Sequence, residues 1–201
     1  MSTYSKYTLD DVLNAALELT LRLEGGWANH PADRGKETNF GITIGVFRGL
    51  GLEGDLNGDG KVDPSDLKIM SIEHARDIYA RLYWIWDKLP QGVELLPPTA
   101  VDPRIMIKHF DTAVNCGVKA ASLILQAAVN KTIGKFLDVD GVVGPKTVGM
   151  VKACDANALL ANYSGLQLLR YEGIVARNKS QEVFLRGWTR RAKRIPKWEA
   201  P

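Results

Sequence analysis

The sequence predicts a mainly α protein with one small β element. Three observations carry that expectation: apolar residues recur at helical spacing from Leu9 to Leu23, cap residues precede further apolar-periodic stretches, and one short run, 39–43, favours turn and strand instead. In the first helix, Leu9, Val12, Leu13, Ala16, Leu17, Leu21 and Leu23 form an apolar arc, while Asp11, Asn14, Glu18 and Arg22 fall on the opposite, polar one. Thr8 is its expected N-cap, with Asp10 and Asp11 suited to the positive end of the helix. Residues 39–48 are expected to include a short extended segment. Ser71 is placed to cap a helix running to Trp86, with Ile72, Ala75, Ile78, Tyr79 and Leu82 turned inward. Pro90, Pro97, Pro98 and Pro103 mark a connection over 90–103. Further helices are expected near 104–115, 119–131, 145–153, 156–178 and 180–192, and no internal repeat is visible.

The most informative segment is 24–43. Glu24 ends the first helix before Gly25-Gly26 and projects between Leu13 and Leu17, so it is a carboxylate on the apolar arc. Burial and the negative end of a helix both raise a carboxyl pKa, which keeps a proton available near neutrality for general acid catalysis. The competing reading is a surface acid at an ordinary helix stop. A second acid, Asp33, follows in a loop of Gly, Pro and Asn. Two carboxyls near one loop are the minimum equipment for cleaving a glycosidic bond.

Taken whole, Glu24-Gly-Gly-Trp27, Asp33 and Glu37-Thr38-Asn39-Phe40-Gly41-Ile42-Thr43 resemble the catalytic segment of glycoside hydrolase family 108, the phage and bacterial N-acetylmuramidases. Tyr83-Trp84, the run 110–117, the run 140–147 and Arg186-Gly187-Trp188 resemble further landmarks of that family, in family order. The resemblance implies a lysozyme-like fold and a Glu24/Asp33/Thr38 catalytic set. It also implies hydrolysis of β-1,4 bonds between N-acetylmuramic acid and N-acetylglucosamine by an endolysin that lyses a host cell. Glu24 would protonate the leaving oxygen, Asp33 would stabilise the oxocarbenium-like centre or position water, and Thr38 would help orient it. Trp27 is a candidate for stacking on a sugar ring, with a core role equally open, and Asn39 completes the candidate substrate-binding set. Inversion or retention depends on the separation of the two carboxyls. Arg34 and Lys36 stand where the family commonly has Pro and Gly. A non-catalytic peptidoglycan-binding protein and a lytic transglycosylase are the alternatives.

Residues 55–66 carry a second pattern. Asp55, Asn57, Asp59, Lys61 through its carbonyl, Asp63 and Asp66 fall at positions 1, 3, 5, 7, 9 and 12 of an EF-hand or dockerin-like calcium loop, with Gly60 at the turning position. The expected cofactor is structural calcium, held less fully by Asp66 than by the usual, longer Glu. The other reading is a solvated Asp/Gly turn. Asp138-Val-Asp140-Gly141 imitates such an opening but has Gly149 at position 12, so it is expected to be a turn before a helix starting at Pro145. It resembles the Asp-Gly turn of peptidoglycan-binding helical modules.

Charge is uneven along the 201 residues: the first hundred hold ten Lys and Arg against fifteen Asp and Glu, the remainder sixteen against eight. A catalytic lobe over 1–95, containing the loop at 55–66, and a helical lobe over 96–201 resembling a peptidoglycan-binding module are expected to pack as one monomeric unit. The basic end, from Arg186 to Lys197, suits an anionic envelope surface, unless Trp198 packs back onto the body. No nucleic-acid-binding pattern accompanies it. His30, His74 and His109 lack metal-ligand spacing, and Cys116 and Cys154 read as small buried hydrophobes. Residues 1–8 lack the features of a signal peptide, so synthesis in the cytoplasm is expected, with action on the wall in the periplasm after the membrane is permeabilised.

Overall fold

The structure is a computed structural model that describes residues 7–24, 28–29, 37–89, 101–134 and 137–199, with only the backbone at 23–24 and 28–29. It is a mainly α, lysozyme-like fold. In chain order the elements are α1 (Leu9–Glu24), β1 (Ala28–Asn29), β2 (Glu37–Asn39), β3 (Ile42–Thr43), α2 (Ile44–Arg48), a 3-10 turn (Gly51–Gly54), α3 (Pro64–Ile69), α4 (Ile72–Tyr83), α5 (Pro103–Cys116), α6 (Val118–Ile133), α7 (Pro145–Ala153), α8 (Ala156–Arg177), a 3-10 turn (Lys179–Gln181) and α9 (Glu182–Lys193). Contacts divide the chain into two compact units, Met1–Ala16 with Tyr83–Pro201, and Leu17–Leu82. The lobe boundary expected between residues 95 and 96 lies outside the described residues. No described helix is long and apolar enough to cross a membrane.

Capping chemistry sets most boundaries. Thr8 and Asp11 close a reciprocal box at the start of α1: the Thr8 N–H donates to Asp11 Oδ2 at 2.7 Å, and the Asp11 N–H donates to Thr8 Oγ1 at 3.1 Å. Ser71 Oγ accepts from the His74 N–H at 3.2 Å at the start of α4. That helix ends at Tyr83, three residues short of the expected Trp86. Ala75, Ile78 and Tyr79 are buried as expected, whereas Ile72 and Leu82 are exposed; both lie in terminal turns of the helix. The short extended segment expected within 39–48 is the end of β2 and β3, and α2 follows at Ile44 because Thr43 caps it by accepting from the Val46 N–H at 3.2 Å.

In the helical unit, Asp102 caps α5 and Pro103 fills its first turn, where no N–H is needed. Gly117, at φ 85°, both ends α5 and opens α6, a conformation that a side chain would strain. Helices α5, α6, α8 and α9 pack on one another around Phe110, Leu125, Val129, Leu159 and Tyr163. Trp84 and Trp86 are both buried, edge-on to Phe110 and His109 at 5.9 and 5.5 Å. Each is therefore a packing residue.

Candidate active site and the acidic loop

Among the described residues, the candidate site is a three-stranded antiparallel sheet in the order β1-β2-β3. Thr38 lies in the middle strand, opposite Ala28 on one side and Thr43 on the other, while Asn29 pairs with Glu37. The segment carrying Asp33 therefore joins two paired strand residues. Glu24 is the last residue of α1. The side chain of Glu24, and Trp27, Asp33 and Lys36 altogether, lie outside the described residues.

The β2-β3 turn is unusual. Phe40 and Gly41 both have positive φ, 50° and 77°, as a two-residue turn matched to sheet twist requires. Phe40 has a Cβ and so carries strain there, on the order of 1–2 kcal/mol. One side chain from α4 and one of the hairpin's own, which reaches α3, hold the turn in place. Tyr79 is 1% exposed, and its hydroxyl donates to the Phe40 carbonyl at 2.7 Å. Asn39 is buried too, and its Nδ2 donates to the Leu67 carbonyl at 2.9 Å. The hairpin that presents Thr38 is thus pinned from α3 and α4. Periodicity gave Tyr79 only an inward position; its hydroxyl was the available signal, since a buried phenol needs a partner.

Residues 55–66 close on their own amides. The Asp55 carboxylate accepts from the N–H groups of Gly58, Asp59 and Gly60 at 2.8, 3.0 and 2.8 Å. Asn57 Oδ1 accepts from the Asp59 N–H and Asp59 Oδ1 from the Lys61 N–H, each at 2.9 Å. Asp66 is fully buried: its Oδ1 accepts from Leu56 and Asn57, and its Oδ2 accepts from Asp63, whose carboxylate in turn caps α3. The Asp63 amide leads the groups that hold the Asp66 carboxyl below its ordinary range, and the Ser65 hydroxyl does the same for Asp63. Among the described residues, no group of three or more His, Cys, Asp or Glu is arranged to hold a metal ion.

The imitation loop is built differently. Asp140 Oδ1 accepts from Gln126 Nε2 at 2.7 Å and from the Val142 N–H at 2.8 Å, while Gln126 Oε1 accepts from the Gly141 N–H at 2.8 Å. This is the turn expected before α7, which starts at Pro145.

The buried titratable groups of the helical unit are structural. Burial pushes His109 down to about 4, so it is neutral near pH 7, with Nε2 3.4 Å from Ser122 Oγ. Lys108, 1% exposed, donates from Nζ to the carbonyls of Arg191, Ala192 and Arg194 at 3.2, 2.7 and 3.0 Å, which ties down the end of α9. Beside it Arg191 pairs with Asp111 at 2.9 Å, both largely buried. Asp111 enters the sequence reading only within the run 110–117 and Lys108 not at all, because its partners are carbonyls 83–86 residues away. Cys116 and Cys154 are free and half-buried. Trp198 packs edge-on to Tyr7 at 5.7 Å, so this part of the basic end lies against its own unit.

The family model described as Glycosyl hydrolase 108 matches residues 17–117, and that described as Predicted Peptidoglycan domain matches residues 120–193. Among solved structures the chain is similar to that titled "Structure of Brucella abortus SagA", with a TM-score of 0.70 and 27% sequence identity over 92% of each chain. A comparison with curated proteins finds no match.

Proposed function

The chain belongs to the Glycosyl hydrolase 108 family and is thus a glycoside hydrolase that acts on peptidoglycan, and from that premise we propose that it is an endolysin of the muramidase type. Its bond is the β-1,4 link between N-acetylmuramic acid and N-acetylglucosamine. Glu24 donates a proton to the leaving oxygen, Asp33 stabilises the developing positive charge or positions water, and Thr38 orients it. Trp27 stacks on a sugar ring; Asn39, the other candidate for substrate binding, is buried with its side chain on the Leu67 carbonyl and acts through the hairpin it holds. The observation that carries the reading is that the family match spans Glu24, Asp33 and the pinned hairpin bearing Thr38. The end of α1 at Glu24 supports the acid role, because the negative end of a helix favours a protonated carboxyl. The enzyme works as a monomer, made in the cytoplasm and released to the wall once the membrane is permeabilised.

Glu24→Gln tests the assignment, since the amide fills the same space without a proton to give. Release of muropeptides from purified peptidoglycan should fall by about 10²–10⁴-fold with the melting temperature unchanged. Glu18→Gln is the control: Glu18 is exposed and pairs with exposed Arg22 at 3.7 Å, so activity should hold. Wall clearing by Glu24→Gln at the parent rate would end the general-acid role. Anhydromuramyl product ends by mass spectrometry would replace hydrolysis with transglycosylation.

Residues 55–66 are proposed to take calcium in a structural role, on the support of the oxygen-bearing residues at all six ligand positions. The rival is the self-closed loop described above. Calorimetry distinguishes them: the parent should release or absorb heat with calcium and melt higher in its presence, and Asp55→Ala/Asp59→Ala should do neither. No heat from the parent leaves the self-closed loop as the whole account.

A further inference from the structure

The inner and outer faces of α9 treat their cations differently. Inward, Arg191 pairs with Asp111, and Lys108 holds the helix end. Outward, an open cavity of about 970 Å³ is lined, among the described residues, by Glu182, Leu185, Arg186, Thr189, Arg190, Lys193 and Arg194. Arg186 and Arg190 stand four residues apart on α9, which places their guanidinium groups in one row, and Arg194 follows at the helix's C-cap. None of these three, nor Lys193, makes an ion pair among the described residues. Like charges in such a row repel one another. Attraction to the negative end of the helix accounts for the cations of the last turn, Arg190 and Lys193, but not for Arg186 earlier in α9.

We infer that this groove binds the peptide stems of peptidoglycan through their carboxylates, a subsite separate from the residues proposed to cleave the glycan. The inference rests on the reading that the chain acts on peptidoglycan. The glycan strand itself offers neutral hydroxyls and acetamides; its negative charge resides on the stems. A row of arginines is the side-chain set best matched to carboxylates, because each guanidinium fork donates two parallel hydrogen bonds. Leu185 supplies an apolar contact for alanine methyl groups, and the Thr189 hydroxyl supplies a partner for a peptide amide. The Predicted Peptidoglycan domain match, residues 120–193, takes in α9. A membrane surface is the other anionic partner to consider. The match to a peptidoglycan domain takes in these arginines, which favours the stems over a plane of headgroups.

The test is co-sedimentation of the full chain with purified peptidoglycan, with the same material stripped of its stems by an amidase and its freed lactyl carboxylates capped as methylamides, and with vesicles containing phosphatidylglycerol. Arg186→Gln/Arg190→Gln should bind stem-bearing peptidoglycan roughly tenfold more weakly than the parent and bind stripped glycan equally well. Arg186→Lys/Arg190→Lys keeps the charge but loses the fork, so its binding should fall between the two; it also keeps the test readable if the glutamine pair folds poorly. Binding of both pairs at the parent level, or the same loss on stripped glycan, overturns the inference. So does parent binding to the vesicles that the glutamine pair loses while its peptidoglycan binding stays intact. Reducing-end release by the parent from both glycans is measured alongside. Its absence would bring down the hydrolase reading, whereas its presence with unaltered variant binding would bring down only the groove.

Discussion

Each of the two compact units is held together internally, and the two use opposite means. In Tyr83–Pro201, α5, α6, α8 and α9 run for 14, 16, 22 and 12 residues. Polar groups sealed between them do the fastening: Lys108 at the end of α9, Asp111 with Arg191, and Gln126 across the Asp140 turn. In Leu17–Leu82, strands of two or three residues and helices of five and six are tied by side chains that reach backbone amides and carbonyls: Asp66, Asp55, Asn39 and Tyr79. The first unit holds desolvated groups inside, so its stability falls as pH drops from 6.5 towards 4. The second depends on carboxylates that keep their charge well into acid, and on one strained turn. The proposed chemistry is placed in the second, where short elements can be positioned by single hydrogen bonds.

Acid should separate the units most clearly. His109 has a folded-state pKa of about 4 against an ordinary 6.5. Above 6.5 it is neutral in both folded and unfolded chains and costs nothing. As pH falls from 6.5 towards 4, the unfolded chain takes up a proton that the folded one refuses, and stability is lost. Below 4 the loss is complete, at roughly 3 kcal/mol. Asp63 and Asp66, by contrast, lie below their ordinary 3.8 and keep their loop bonds throughout that window. Hydrogen exchange at pH 4.5 should therefore show α5 and α6 opening faster than at pH 7, with residues 55–66 unchanged. His109→Gln should flatten the dependence. Equal acid sensitivity in both units would remove the contrast.

The same division explains how much could be read from residues alone. The long helices were legible because each presents several turns of apolar period; the caps at Asp102 and Asp155 came only with the structure. The short elements were not: α2 and α3 span only five and six residues, too few for a period to emerge. Residues 55–66 were legible as a pattern of oxygen-bearing residues. What the spacing could not convey is that Asp66 faces inward and closes the loop onto Leu56, Asn57 and Asp63. Thr38 and Asn39 were found through the family resemblance of their segment. Its strained Phe40-Gly41 turn and the supports from Leu67 and Tyr79, 28 and 39 residues away, are tertiary facts with no local signature.

A smaller effect is expected at Lys108. Lys108→Met keeps the volume of the side chain but leaves the carbonyls of Arg191, Ala192 and Arg194 without their donor. Burial of the ammonium already costs energy, which pushes Lys108 down to about 8. Methionine removes that cost and recovers part of the loss, so the net destabilisation should be roughly 2 kcal/mol, or about 4–8 °C in melting temperature. The change should be confined to α5 and the end of α9 in hydrogen exchange. A variant as stable as the parent would mean that packing alone holds α9.

The smallest change tests the second unit. Tyr79→Phe removes one hydroxyl and keeps the ring, so the core of α4 is preserved. It deletes the 2.7 Å bond to the Phe40 carbonyl, the group that holds a non-glycine residue at φ 50°. About 1 kcal/mol of stability should be lost. If Tyr79 only packs, catalysis should not change beyond what that loss of folded protein explains. As a positioning residue, it should instead lower kcat for wall hydrolysis several-fold at temperatures where the variant is fully folded, with KM little altered, because Thr38 sits two residues before Phe40 on the same hairpin. Replacing Phe40 by Gly in the Tyr79→Phe background relieves the turn of its strain and should restore part of the lost stability. Unchanged kcat in Tyr79→Phe would show that the hairpin keeps its form without the pin from α4, and would reduce the difference between the units to one of helix length.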